Sequence, residues 1–226
     1  MKERRLPNTG ENKMRTMPVG KLLFTMALPL ALSMLVQAFY NVVDSYFVSL
    51  ISTDAVTALS FAFPIQNLQI GFATGAAVGM NSLLSKSLGE GNQERANKAA
   101  GNGILLTLMF AAVFMLFGFV GVKPYYSVFG ANEHTTNYGI AYTTICSVLT
   151  LGIFVEILGE RLLQASGRTV YTLFTQGTGA VLNIILDPIF MFVVLEPGNE
   201  VAGAAIATLC SNVAVLIYFL TQTRLP

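Results

Sequence analysis

The chain has 226 residues, of which 54% are hydrophobic and 11% charged, less than half the roughly 25% charge of an ordinary soluble domain. Its mean hydropathy is +0.62, and that composition excludes a chain coated for water on all sides. A net charge of +1 names no partner, and no nucleic acid is expected among them.

The basic segment 1–20 precedes an apolar run of more than 20 residues with no small-residue cleavage site after it, so the run reads as a retained first span rather than a signal peptide. A helix needs about 20 apolar residues to cross the hydrocarbon core. Six segments qualify, at 22–43, 55–84, 99–122, 136–158, 169–194 and 201–220. They are long and continuous rather than short and alternating, which favours helices over a barrel. The expected fold is therefore an all-α membrane protein, a six-helix transmembrane lobe over residues 21–223. Turn residues sit between the spans: Pro124, Gly130 and Asn132 between three and four, Pro197 and Gly198 between five and six.

The 13 basic residues fix an orientation. Twelve lie before span one, between spans two and three, between four and five, or after span six, and only Lys123 falls on the other side. The positive-inside rule places both termini in the cytoplasm, so the expected location is the plasma (cytoplasmic) membrane. A wrong span count would scramble this alternation.

Span one carries Pro29, about two turns in, and Gln37, Asn41 and Asp44 at i, i+4, i+7, which stack on one face. Span two carries Gly71, Gly75 and Gly79 at four-residue spacing, an expected site of close helix packing, and Pro64, a kink or a packing feature. Span four brings Tyr142 about two turns in from the outside. Glu156, Glu160 and Arg161 follow at its cytoplasmic end, where charges ordinarily snorkel to the headgroups. Span five carries Asn183 and Asp187 at i, i+4, with Pro188 directly after.

Carboxylates inside a span are costly and mark function. Asp44 lies 23 residues beyond Lys21 and Asp187 lies 19 beyond Arg168, about 35 and 28 Å along a helix rising ~1.5 Å per residue. Both reach the outer part of the bilayer, where Tyr142 also arrives. The neighbouring amides offer neutral oxygens for a hard cation such as Na⁺ at Asp44, Asn183 and Asp187; the same carboxylates, desolvated, are equally candidates to carry a proton. Asp44 has a plainer reading as a cap on span one. Pro29 and Pro188 each remove a helical hydrogen bond and are candidate hinges.

The two cysteines, Cys146 and Cys210, read as small buried hydrophobes and have no metal-ligand spacing. The single histidine, His134, lies in a polar loop, so no His-based triad or metal set can be built. No nucleophile–base pair is visible, and enzymatic activity is not expected. No GxxxxGK[S/T] phosphate loop occurs, so the chain gives no sign of ATP drive, and no cofactor is expected.

Five motifs in order carry a resemblance. They are Pro29 with Asp44, Gly89–Glu90–Gly91–Asn92, the run LLQASGR at 162–168, Asn183-x-x-x-Asp187-Pro188, and Gly203–Ala204–Ala205–Ile206–Ala207–Thr208. From about Lys21 onward the chain resembles the amino-terminal half of multidrug and toxic compound extrusion (MATE) transporters, of the bacterial DinF-like and MepA-like branch. The resemblance implies two six-helix lobes, of which the second is absent from this sequence, and alternating access that exchanges H⁺ or Na⁺ for organic, often cationic, drugs or toxins. It implies a cation site or polar network in this lobe at Gln37, Asp44, Tyr142, Asn183 and Asp187, and a first helix that bends at Pro29. A family hydroxyl in span six falls near Ala205, with Thr208 one turn away.

The expected partners are small-molecule organic substrates, the lipid bilayer and a second six-helix lobe, supplied by the rest of a longer gene product, by a separate gene or by a second copy. Two alternatives remain. A flippase of lipid-linked intermediates should line its cavity with basic residues, and none lies within a span. An inactive or truncated scaffold half would bind the membrane and transport nothing.

Overall fold

The structure is a computed structural model and describes residues 17–165, 169–195 and 200–223. Most of the basic amino-terminal segment, Ser166 to Arg168, Pro197 and Gly198, and Arg224 lie outside the described residues. The chain order is α1 (Val19–Ser49), α2 (Thr53–Gly89), α3 (Gln93–Val120), α4 (Val122–Ser127), α5 (Glu133–Val148), α6 (Leu151–Ala165), α7 (Thr169–Ile189), a π-helical turn (Phe190–Val194) and α8 (Glu200–Thr223). No strand occurs among the described residues.

Capping residues set where several of these helices begin. Ser52 accepts a hydrogen bond from the Ala55 N–H at 3.1 Å, Asn92 from Arg95 at 2.9 Å and Asn132 from Thr135 at 2.7 Å. Each satisfies one of the amide donors that a helix start leaves free. The α2–α3 turn passes through Gly91 at φ +70°, a left-handed conformation that glycine adopts without steric cost.

Four helices are long and apolar enough to cross a membrane: α1, α3, α7 with its π-helical turn, and α8 over Glu200–Ile217. The pair α5 and α6, bent by 48° at the break between them, is long and apolar enough together to count as a fifth. The sequence expectation of one uninterrupted span over 136–158 therefore becomes two helices. The break falls at Leu149–Thr150, flanked by Val148 and Gly152, and β-branched residues and glycine are weak helix formers. At 37 residues, α2 is the longest helix. Gln66, Asn67, Gln69, Asn81 and a run of serines dilute its apolar content.

Small residues hold the bundle together. Ala55, Ala58, Ala62, Ala73, Ala76 and Ala77 of α2 are buried, and α2 packs on α3, α5 and α6. The expected close packing at Gly71, Gly75 and Gly79 is not found among the described residues: a methyl group added at any of the three meets no neighbour within 4 Å. The alanines on the opposite side perform that role. True close approach occurs at Gly203, where an added methyl would lie 2.8 Å from the Phe190 carbonyl oxygen. That glycine lets α8 lie against the π-helical turn.

Apolar clusters run along the bundle, and three of the four among the described residues are these. One holds Val48, Ala55, Ala62, Tyr142, Met191, Val201, Ala204 and Ala205, the next Ala73, Ala111, Phe114 and Phe154, and the third Leu84, Ala96, Ala99 and Ala165. Helix α1 is the outlier: it packs chiefly on α7 and buries only Ser33 and Val48. Its other face carries Leu23, Phe24, Leu35, Phe39 and Tyr46, all exposed, as a lipid-facing helix requires. Cys146 is half-buried, but Cys210 is exposed, so the reading of both as core residues holds for neither in full. His134 is exposed in the first turn of α5.

Candidate functional site

A cavity of about 540 Å³ opens between α1, α2, α5, α6, α7 and α8. Gln37, Tyr40, Asn41 and Asp44 face it from one side of α1, as their spacing requires. Tyr142 of α5, Asn183 of α7 and Thr208 of α8 face it from the other elements. Gln37 and Asn41 are open to the cavity, and Asp44 is half-buried.

Asp187 does not line this space. It is only 1% exposed and within electrostatic reach of Asp44. One oxygen of each carboxylate, Oδ1 of Asp44 and Oδ1 of Asp187, is buried without a hydrogen-bond partner. Tyr40 lies within electrostatic reach of Asp44, Asp187 and Glu156. The residues selected by spacing on α1, α5 and α7 therefore meet at one place.

The polar partners are fixed by the fold. Asn183 Oδ1 accepts from Ser211 Oγ at 3.0 Å, so α8 contributes a hydroxyl one helical turn beyond Thr208, while Ala205 is packed into the core. Tyr142 is buried, and its hydroxyl accepts from Gln66 Nε2 at 3.0 Å. Gln69 Nε2 donates to Ser147 Oγ at 3.0 Å, tying α2 to the end of α5. Beyond the spans, Asn132 Nδ2 and Thr135 Oγ1 donate to Asp54 Oδ1 at 2.8 and 3.0 Å. Those bonds hold the Asp54 carboxyl below its ordinary range.

The prolines act differently from each other. Pro29 sits inside α1, which continues through it; its missing N–H leaves the Thr25 carbonyl without its helical donor. Pro188 ends the regular part of α7, and the chain widens directly into the π-helical turn Phe190–Val194. That irregularity begins three residues after Asp187, and π-helical turns often occur at functional sites.

Two residues that the sequence placed at the headgroups belong to the cavity instead. Glu156 and Glu160 both line it, and Glu160 is 7% exposed. Gln176 and Asn212 line it beside them. The i, i+4 spacing of Glu156 and Glu160 was visible in the sequence; their inward direction comes from the packing of α6 against its neighbours.

Comparison with known proteins bears on the family and the fold. The MatE family model matches residues 29–189, more than half of the chain. A relative from Shewanella oneidensis, named FAD transporter, is 30% identical over 200 residues, 88% of this chain and 44% of its own length. The multidrug export protein MepA of Staphylococcus haemolyticus is 23% identical over 203 residues, 89% of this chain and 44% of its own length. A MOP superfamily transporter from Pyrococcus furiosus superposes with a TM-score of 0.84 at 25% identity, over 91% of this chain and 45% of that one. The chain thus spans about half the length of the relatives it matches. With its apolar helices and the motifs that run from Pro29 to Pro188, the chain belongs to the MatE family of membrane transporters.

Proposed function

We propose that the chain is one lobe of a secondary active antiporter that exports organic, often cationic, compounds in exchange for H⁺ or Na⁺. The carrying observation is the pair of buried carboxylates on separate helices, Asp44 and Asp187, each with an oxygen that has no protein partner. An unpartnered buried carboxylate is costly, and a bound proton or Na⁺ removes that cost. Asn183, Asn41, Gln37 and Tyr142 supply polar atoms around it. Binding there couples to substrate affinity by linkage: a cation that prefers one conformation shifts the population toward it. Pro29 and Pro188 are the proposed flexible points.

In this reading the lobe works in the cytoplasmic membrane with both termini inside and rocks against a second six-helix lobe. In cells carrying a two-lobe version, Asp44→Asn or Asp187→Asn should reduce drug resistance to that of cells without the transporter. Full resistance in both variants would refute the coupling role.

The 30% identical relative named FAD transporter supports a second reading, export of a flavin dinucleotide. Against it, the cavity is lined by Asp44, Glu156 and Glu160 and, among the described residues, by no Lys, Arg or His, a poor surface for a pyrophosphate. Competition for transport by FAD, or its absence, separates the two.

A further inference from the structure

We propose that Glu156 and Glu160 form a second cation site in the cavity, one that holds the charged centre of an organic cation apart from the Asp44–Asp187 pair. The proposal deepens the efflux reading and rests on the cavity being the substrate's path.

The two glutamates lie one turn apart on α6, on one helix face, and within electrostatic reach of each other. Gln176 of α7 donates from Nε2 to Glu160 Oε2 at 3.2 Å. With its amide turned so that both ends are satisfied, Asn212 of α8 donates from Nδ2 to Glu156 Oε2 at 3.3 Å and to the Thr208 carbonyl at 3.1 Å. Three helices therefore converge on this pair. Even so, Glu160 Oε1 is buried with no partner, as is Gln176 Oε1.

The neighbouring cation, Arg161, is within electrostatic reach of Glu160 but, among the described residues, makes no direct ion pair with either glutamate. It directs Nη1 to Gln164 Oε1 at 2.7 Å. Two carboxylates facing a cavity with no ion-paired cation among the described residues make a wall that favours a positively charged ligand.

The donor set selects the ligand class. Among the described residues no group of three or more His, Cys, Asp or Glu side chains is placed to hold a metal ion, and divalent cations need more oxygens than two carboxylates and an amide supply. Tyr40 and Phe63 line the same cavity, and aromatic faces attract diffuse cations. The volume of about 540 Å³ suits a drug-sized molecule. A bulky monovalent organic cation fits all of these features.

The test uses tetraphenylphosphonium and tetraphenylborate, ions of equal shape and opposite charge, with the 226-residue chain in nanodiscs and empty nanodiscs subtracted. The unaltered chain should bind the phosphonium saturably and in preference to the borate. Glu156→Gln and Glu160→Gln, singly and together, keep side-chain shape; the double variant should lose tenfold or more in phosphonium affinity and lose the preference. Glu94→Gln, which removes an exposed carboxylate outside the cavity, should stay within threefold of the unaltered chain. Absence of saturable phosphonium binding, or binding unchanged in the double variant, overturns the proposal. So does a loss in Glu94→Gln equal to that in the double variant. Coupling by Asp44 and Asp187 is read separately, as gradient-driven transport, so either reading can fail without the other.

Discussion

At the scale of single residues, the two aspartates and the two glutamates share one problem: a carboxylate in a low-dielectric place needs a partner. Asp187 was legible in the sequence because Asn183 stands one turn before it and Pro188 follows it inside an apolar run. Asp44 was legible through its stacked neighbours Gln37 and Asn41. Glu156 and Glu160 were not, because the adjacent Arg161 and the end of an apolar run are what a headgroup boundary looks like. Only the packing of α6 against α7 and α8 turns them inward.

Asn132 is a separate test, at the outer end of the bundle. It caps α5 and also donates to Asp54. Asn132→Ala should cost about 0.5–2 kcal/mol, the usual worth of a cap, read as a lower melting temperature in detergent. The Asp54 bonds lower that carboxyl from its ordinary 3.8. A depressed carboxylate contributes stability above the unfolded value, and that contribution is lost as the pH falls through the folded value. The gap between variant and unaltered protein should narrow below pH 3.8. A gap independent of pH would show that Asp54 contributes nothing.

At the scale of elements, apolar length and turn residues revealed the helices, because crossing a bilayer leaves few alternatives. Two features were hidden. The bend at Leu149–Thr150 has no proline to announce it; Thr150 is fully buried with its hydroxyl unpartnered, which is a matter of tertiary environment. The glycines of α2 were misread because four-residue spacing shows which face is smooth and says nothing of which neighbour covers it. The two kinds of glycine should respond oppositely to alanine. Gly203→Ala forces α8 away from Phe190 and should destabilise the lobe by about 1–3 kcal/mol. Gly75→Ala meets nothing and should be neutral or stabilise the helix by up to about 1 kcal/mol. Thermal unfolding of both variants in one detergent checks this, and equal losses would contradict it.

At the scale of the whole molecule, α1 turns an apolar face outward and its polar face, with Gln37, Asn41 and Asp44, toward the cavity. Two predictions belong here. Single cysteines at Lys123 and Arg95 should react with an impermeant thiol reagent from opposite sides of the cell membrane, Lys123→Cys from outside; labelling of both from one side would break the proposed orientation. In liposomes the 226-residue chain alone should give no gradient-driven transport, because alternating access needs an opposing surface.

The most direct measurement is a double-mutant comparison in inside-out vesicles carrying the two-lobe version, with substrate uptake driven by an imposed H⁺ or Na⁺ gradient. If Asp44 and Asp187 hold one coupling ion between them, Asp44→Asn, Asp187→Asn and the double variant should all lose gradient-driven uptake to the same extent, with no further loss in the double. Gradient-driven uptake surviving in either single variant, or losses that add in the double, would contradict it.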